Sequence, residues 1–167
     1  MSVAAYLALG ANLGDRLANL QAAVDALDEI PGVRVVRSSR VYETAPVGGP
    51  EQPEYLNAVV EVRTELPPRG LLAACLAVED DMGRVRTERW GPRPIDVDVL
   101  TYGTEAVDEP DLVVPHPRMH ERGFVLAPLA ELDADPPLPG GRRLASIRLA
   151  PGAVLGVRPF APPLRVS

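Results

Sequence analysis

Two carboxylates one residue apart, Asp96 and Asp98, lie in the run Pro94-Ile95-Asp96-Val97-Asp98-Val99-Leu100. Side chains on a strand alternate between faces. As a strand, this run puts Asp96 and Asp98 on one side and Ile95, Val97 and Val99 on the other. Same-side neighbours on a strand sit ~7 Å apart, and two like charges that close favour proton uptake unless a cation compensates them. Oxygen donors on a stiff backbone suit Mg²⁺, which takes one or two carboxylates and completes its shell with water and phosphate oxygens. A solvated Asp-x-Asp on an edge strand is the simpler alternative. The stretch just upstream weighs against it, because Arg84, Arg86, Arg89 and Arg93 precede the pair within one polar loop. Guanidinium groups bind phosphate bidentately and keep their charge at any working pH. An acid pair beside an Arg cluster is what phosphoryl transfer needs: cations to neutralise the transferring group and a geometry that aligns attack.

Composition narrows the field. The 167 residues fit one domain large enough for a hydrophobic core, and 46% hydrophobic with 24% charged residues is globular composition. No apolar run nears the ~20 residues that span a bilayer, and the N-terminal stretch lacks the basic start of a secretory signal, so neither membrane nor export is expected. One cysteine, Cys75, excludes a disulfide framework and a thiolate zinc cluster; a reducing cytoplasm is the expected compartment. A net charge of −6 argues against nucleic acid as a partner. All 17 basic residues are Arg and none is Lys, which excludes a P-loop, a protein-kinase site and Schiff-base catalysis. His116 and His120 have the spacing of helical zinc ligands, but Pro117 lies between them and there is no third His. The turn Gly10 to Gly14 lacks the dinucleotide fingerprint.

The elements that must position these groups can be read in order. Tyr6–Leu9 predicts a first strand, and Leu13, Leu17, Leu20, Val24 and Leu27 a helix with one apolar face, broken at Pro31-Gly32. Val33–Tyr42 predicts a second strand, the Pro- and Gly-rich 44–53 a loop, and Asn57–Glu65 a third strand. Pro67-Pro68 opens a second helix whose apolar face is Leu71, Leu72, Cys75, Leu76, Val78 and Met82, with Gly83 as its cap. Ile95–Tyr102 is the fourth strand. The order is βαββαβ, the ferredoxin-like pattern with an antiparallel sheet and helices on one face. Arg122–Leu132 predicts a further helix covering the other face, giving an α/β/α sandwich. The Pro-rich tail after Asp133 predicts irregular chain with one or two short strands. The whole, 1–167, reads as a single catalytic domain with its core in 3–132 and a C-terminal extension over 133–167.

With these pieces in place, Glu88-Arg89-Trp90-Gly91-Pro92-Arg93-Pro94-Ile95-Asp96-Val97-Asp98 resembles the signature of the hydroxymethyl-dihydropterin pyrophosphokinases of folate biosynthesis. Leu9-Gly10-Ala11-Asn12-Leu13-Gly14-Asp15 is similar to that family's first strand-to-helix turn. Tyr42-Glu43-Thr44-Ala45-Pro46-Val47-Gly48, with Gln52-Pro53-Glu54-Tyr55-Leu56-Asn57, resembles its pterin loop, and Val114-Pro115-His116-Pro117-Arg118-Met119 through Arg122-Gly123-Phe124 its C-terminal segment. The matches run in order over roughly residues 3–132. The resemblance implies transfer of pyrophosphate from ATP, as co-substrate, to the hydroxymethyl group of a reduced pterin, with AMP released and two Mg²⁺ bridging the ATP phosphates. It implies that Asp96 and Asp98 ligate both ions and that Arg84 and Arg93 stabilise charge during transfer. Glu79, Arg86, Trp90, His116 and Arg122 would serve the nucleotide side, Arg86 and Trp90 from a closing loop. Tyr55 and Phe124 would flank the pterin, while Asn57, Thr44, Ala45 and Val47 meet its polar edge. The sequence departs from the family pattern in a shorter Arg-rich loop, Thr87 for a frequent Lys, Ala45 for a common Pro, Pro117 for a common Tyr, and Asp111 at the place of a basic nucleotide contact. Two rivals stay open: a Mg-dependent nucleotidyltransferase with paired Asp on a similar sheet, and a non-catalytic ferredoxin-like ligand-binding module. A monomer acting on small molecules is the expected state.

Overall fold

A computed structural model describes residues 2–44, 54–82, 94–117, 119, 123–133 and 157–166. The chain runs β1 (Val3–Ala11), α1 (Arg16–Asp28), β2 (Val33–Ser38), β3 (Val41–Thr44), β4 (Tyr55–Thr64), α2 (Pro68–Asp81) and β5 (Asp96–Tyr102). It continues through β6 (Val107–Glu109), β7 (Leu112–Val114), α3 (Gly123–Leu132) and β8 (Arg158–Ala161). The main sheet has the order β5-β1-β4-β3-β8, with β2 also paired to β4, and every pairing in it is antiparallel. This is the expected ferredoxin-like α+β arrangement, with α3 and a β6–β7 hairpin added.

Alternation sorts the sheet into two faces. Leu7 and Leu9 of β1, Ala58, Val60 and Val62 of β4, and Val97 and Val99 of β5 pack with α1 and α2 in the larger core. Tyr6, Val59 and Leu100 point the other way and pack with Met119 and with Val125 and Leu129 of α3. A sheet covered on both faces buries its strands almost completely, so β4 shows only Arg63 as an exposed residue.

Local chemistry sets the element ends. The Asp15 carboxylate accepts from the Ala18 amide at 3.1 Å and caps α1. Pro68 fills the first turn of α2, where a missing N–H costs nothing. Gly32, at φ 87°, takes the left-handed turn from α1 into β2.

Three expectations need correction. The core face of α1 is Leu20, Ala23, Val24 and Leu27; Leu13 precedes the helix, and both Leu13 and Leu17 are exposed. On α2, Leu76 is exposed and Ala74 and Glu79 are buried instead. The expected second strand is two, because Ser39 interrupts it. The Ser39 N–H donates to the Val59 carbonyl at 2.8 Å, and its hydroxyl oxygen accepts from the Val59 N–H at 3.0 Å. Among the described residues, no helix is long and apolar enough to cross a membrane.

Candidate active site

Strand register places the acid pair opposite the smallest side chains of the sheet. Asp96 pairs with Gly10 and Asp98 with Ala8 on β1. Gly10 in turn pairs with Asn57 of β4, and Asn57 with Tyr42 of β3. Directly opposed residues point to the same face, so Asp96, Gly10 and Asn57 form one row on the α3 side. Asn57 stands two strand spacings from Asp96, roughly 10 Å. Between them the floor is low, since β1 offers only Ala8 and Gly10. The glycine keeps that floor clear: a Cβ at Gly10 would lie 3.0 Å from Asn57 Oδ1 and 3.6 Å from Tyr55 Cδ1, so the Asn57 side chain would have to give way.

Asn57 is itself held. Its Nδ2 donates to Thr44 Oγ1 at 2.6 Å, and both residues are buried. That bond orients the amide and leaves Oδ1 on the Gly10 side. Tyr55, paired with Thr44 at the end of the ladder, is partly buried on the same face.

The acid pair is anchored from behind. Ile95, Val97 and Val99 are buried in the larger core, as the alternation predicts, while Asp96 is half-buried and Asp98 exposed. Glu79 of α2 is buried, and its Oε2 accepts from the Val97 N–H at 2.8 Å, between the two aspartates. Burial pushes the nearby Cys75 thiol well up, and the Asp98 and Glu79 carboxylates add to that shift. The thiol is therefore inert at neutral pH.

α3 closes the site's far wall. Arg37 donates to the Leu132 carbonyl at 2.8 Å, Arg40 reaches Glu131, and the Tyr42 hydroxyl donates to Glu131. Burial and Glu131 hold the Tyr42 hydroxyl above its ordinary pKa, so it remains a donor. Pinned at its C-terminal end, the helix presents Phe124 from its first turn, half-buried against the second core. The His116 N–H donates to the Leu100 carbonyl at 2.8 Å, which fastens the segment before α3 to the acid-bearing strand.

Of the sequence-predicted residues, the described ones are Asp96, Asp98, Glu79, His116, Thr44, Tyr55, Asn57 and Phe124. Arg84, Arg86, Trp90, Arg93, Arg122, Ala45 and Val47 lie outside the described residues. Asp96, Asp98 and Asn57 share one face through Gly10, with Thr44 bonded to Asn57. Asp111, noted above at a nucleotide-contact position, pairs with Arg69 through Oδ1 at 2.7 Å and Oδ2 at 3.1 Å. The role of Gly10 was not readable from the chain, because it depends on a partner 47 positions away in sequence, Asn57. No group of three His, Cys, Asp or Glu that could hold a metal occurs among the described residues. The described donor set is thus the two aspartates, whose oxygens suit a hard cation that draws its other ligands from water or phosphate.

The family model for 7,8-dihydro-6-hydroxymethylpterin-pyrophosphokinase (HPPK) matches residues 6–134. The 2-amino-4-hydroxy-6-hydroxymethyldihydropteridine pyrophosphokinase of Methylorubrum extorquens is 52% identical over 131 residues, covering 78% of this chain and 83% of its own. The Bacillus subtilis enzyme of that name is 48% identical, covering 79% of each chain, and that of Pseudomonas aeruginosa 45%, covering 87% and 90%. Among solved structures, an HPPK-DHPS in complex with substrates superposes with a TM-score of 0.62 at 13% identity over 78% of this chain. The wild-type Plasmodium falciparum HPPK-DHPS with pterin and p-hydroxybenzoate gives 0.60 at 15% identity, again over 78%. This chain spans 40% and 38% of those two longer chains, and their likeness speaks for the fold. The chain belongs to the 7,8-dihydro-6-hydroxymethylpterin-pyrophosphokinase family.

Proposed function

We propose that the chain transfers the terminal pyrophosphoryl group of ATP to the hydroxymethyl oxygen of 6-hydroxymethyl-7,8-dihydropterin, releasing AMP, as a step of folate biosynthesis. The observation that carries this reading is the row Asp96–Gly10–Asn57, which puts an acid pair and a fixed amide on one face of the sheet. A flat bicyclic ring held at Asn57 would direct a one-carbon arm over Gly10 and Ala8 toward the aspartates.

Asp96 and Asp98 are the residues we assign to hold two Mg²⁺, which supply charge neutralisation on the triphosphate when bound. Asn57 and Thr44 meet the polar edge of the ring, joined by Ala45 and Val47, and Tyr55 and Phe124 flank its faces. Arg84 and Arg93 stabilise the transferring group, while Arg86, Trp90, His116, Arg122 and Glu79 serve the nucleotide. Arg86 and Trp90 exclude water when their loop covers the site. Holding acceptor and donor in line is most of the catalysis such a transfer needs. We assign all of 1–167 to one catalytic domain acting as a cytoplasmic monomer; pairing of β8 with β3 supports including the extension.

A phosphorus NMR time course with ATP, Mg²⁺ and hydroxymethyl-dihydropterin tests the reaction. AMP with a pterin diphosphate is the expected result. ADP would mean single-phosphoryl transfer, and pyrophosphate without a pterin product would favour nucleotidyl transfer.

A further inference from the structure

Four charged side chains meet on the α1 side of the sheet, behind the strand ends that carry Thr44 and Tyr55. Arg16 Nη1 donates to Glu43 Oε2 at 2.9 Å and to the Glu54 carbonyl at 2.9 Å. Arg158 Nη2 donates to Glu43 Oε1 at 2.9 Å and to Glu54 Oε2 at 2.6 Å. The Arg16 guanidinium also lies 5.5 Å from the centre of the Phe160 ring, so β8 contributes both a charge and an aromatic face. The result joins the first residue of α1, β3, the residue before β4, and β8.

The position of this ring matters more than its strength. Glu43 immediately precedes Thr44, and Glu54 immediately precedes Tyr55. Alternation turns Glu43 to the α1 face while Thr44 and Tyr42 face α3, so Glu43 points away from the proposed substrate side. It sits at the end of the β3–β4 ladder, where strands fray most readily. A shift there moves Thr44 relative to Asn57, and a one-residue slip would turn every side chain over. An isolated exposed ion pair contributes little; here one carboxylate, Glu43, is shared by two guanidiniums and is 20% exposed.

Resting on the pterin subsite assigned above, we propose that Arg16 and Arg158 are positioning residues for the pterin: with Glu43 and Glu54 they lock β3 against β4 and so fix the Thr44–Asn57 bond that orients the ring-binding amide. The C-terminal strand is thereby part of substrate recognition, although it contacts the back of the site.

The test is steady-state kinetics of full-length variants with both substrates varied. Arg158→Ala is expected to raise the pterin KM about 5–10-fold while kcat stays within about twofold and the ATP KM is unchanged, the pattern of lost ground-state binding. Arg158→Lys, which keeps the positive charge but not the planar guanidinium, should recover part of that loss. Added salt should raise the wild-type pterin KM and leave that of Arg158→Ala nearly flat. Should Arg158→Ala fold poorly, Glu54→Gln, which takes the charge from one of the two Arg158 pairs with little change in shape, is held to the same pattern with a smaller rise in pterin KM. Arg165→Ala serves as the neutral control, and Asn57→Ala as the reference for loss of the subsite. A normal pterin KM in Arg158→Ala and Glu54→Gln, with Asn57→Ala raised, overturns the ring's role and leaves the subsite standing. A parallel loss in kcat and both KM values marks the ring as merely structural. An unaltered KM in Asn57→Ala overturns the subsite and this proposal together.

Discussion

Asp96 and Asp98 stand on a strand whose other side is buried, so their chemistry and their contribution to folding separate. Asp96→Ala or Asp98→Ala should lower kcat by about 10²–10³-fold or more, starting from the scale for losing one charge-stabilising group. Neither carboxylate is in the core, and melting should move by no more than a few degrees; a large drop in both would make the pair structural. Glu43 behaves differently. Its bonds to Arg158 and then Arg16 hold its carboxyl below the ordinary glutamate range. A depressed folded pKa gives stability that is present above the unfolded value, about 4.3, and lost as pH falls through the folded one. Glu43→Gln should therefore melt below wild type at pH 7, by ~2–4 °C for roughly 1 kcal/mol. The gap should close as pH falls through that depressed folded value; a gap independent of pH would mean the glutamate acts by shape. At this scale the sequence was informative wherever a motif is local. The Asp-x-Asp alternation could be read directly, but the need for glycine at Gly10 lies in the Asn57 oxygen across the ladder.

At the scale of elements, the break between β2 and β3 sets where the strand that carries Thr44 begins. Ser39 makes this break by taking the Val59 amide with its hydroxyl while buried. Ser39→Ala would leave that amide without its acceptor, a cost of about 1–3 kcal/mol. The expected outcome in calorimetry is a melting temperature lower by ~3–10 °C; an unchanged value would mean another acceptor replaces it. Sequence patterning could not show this break, because Val33–Tyr42 is apolar and β-branched enough to read as one strand. The same limit misplaced the α1 face. Leu13 and Leu17 keep the helical spacing, yet the helix starts only after the Asp15 cap, and its first turn overhangs solvent. The β6–β7 hairpin escaped notice since each strand has only three residues, and Val107–Glu109 carries two acids. By contrast, Pro68 and the β5 alternation marked α2 and the site strand well, because their causes are local.

The whole molecule closes through contacts between distant parts of the chain. β8 reaches β3 from 115 positions away through Arg158 and Glu43, and Gln21 of α1 exchanges hydrogen bonds with the Arg165 backbone at 2.9 Å in both directions. No periodicity reports such pairings, which is why the tail was readable only as irregular chain with short strands. What folds around them is a sheet whose α1–α2 side carries the larger apolar cluster and whose α3 side, at one end, carries the proposed site. That division has a genetic consequence. In a saturation library scored separately for cellular abundance and for rescue of a strain lacking the activity, damage should alternate residue by residue near this end of the sheet. Changes at 97 and 99, 7 and 9, or 56 and 58 should deplete abundance. Those at 96, 98 and the partly buried 55 should spare abundance and abolish rescue, whereas changes at the buried 57 and the close-packed 10 should lower both scores. A two-residue beat along β5, opposite in phase between the two scores, would be the imprint of strand geometry on the heritable tolerance of this chain.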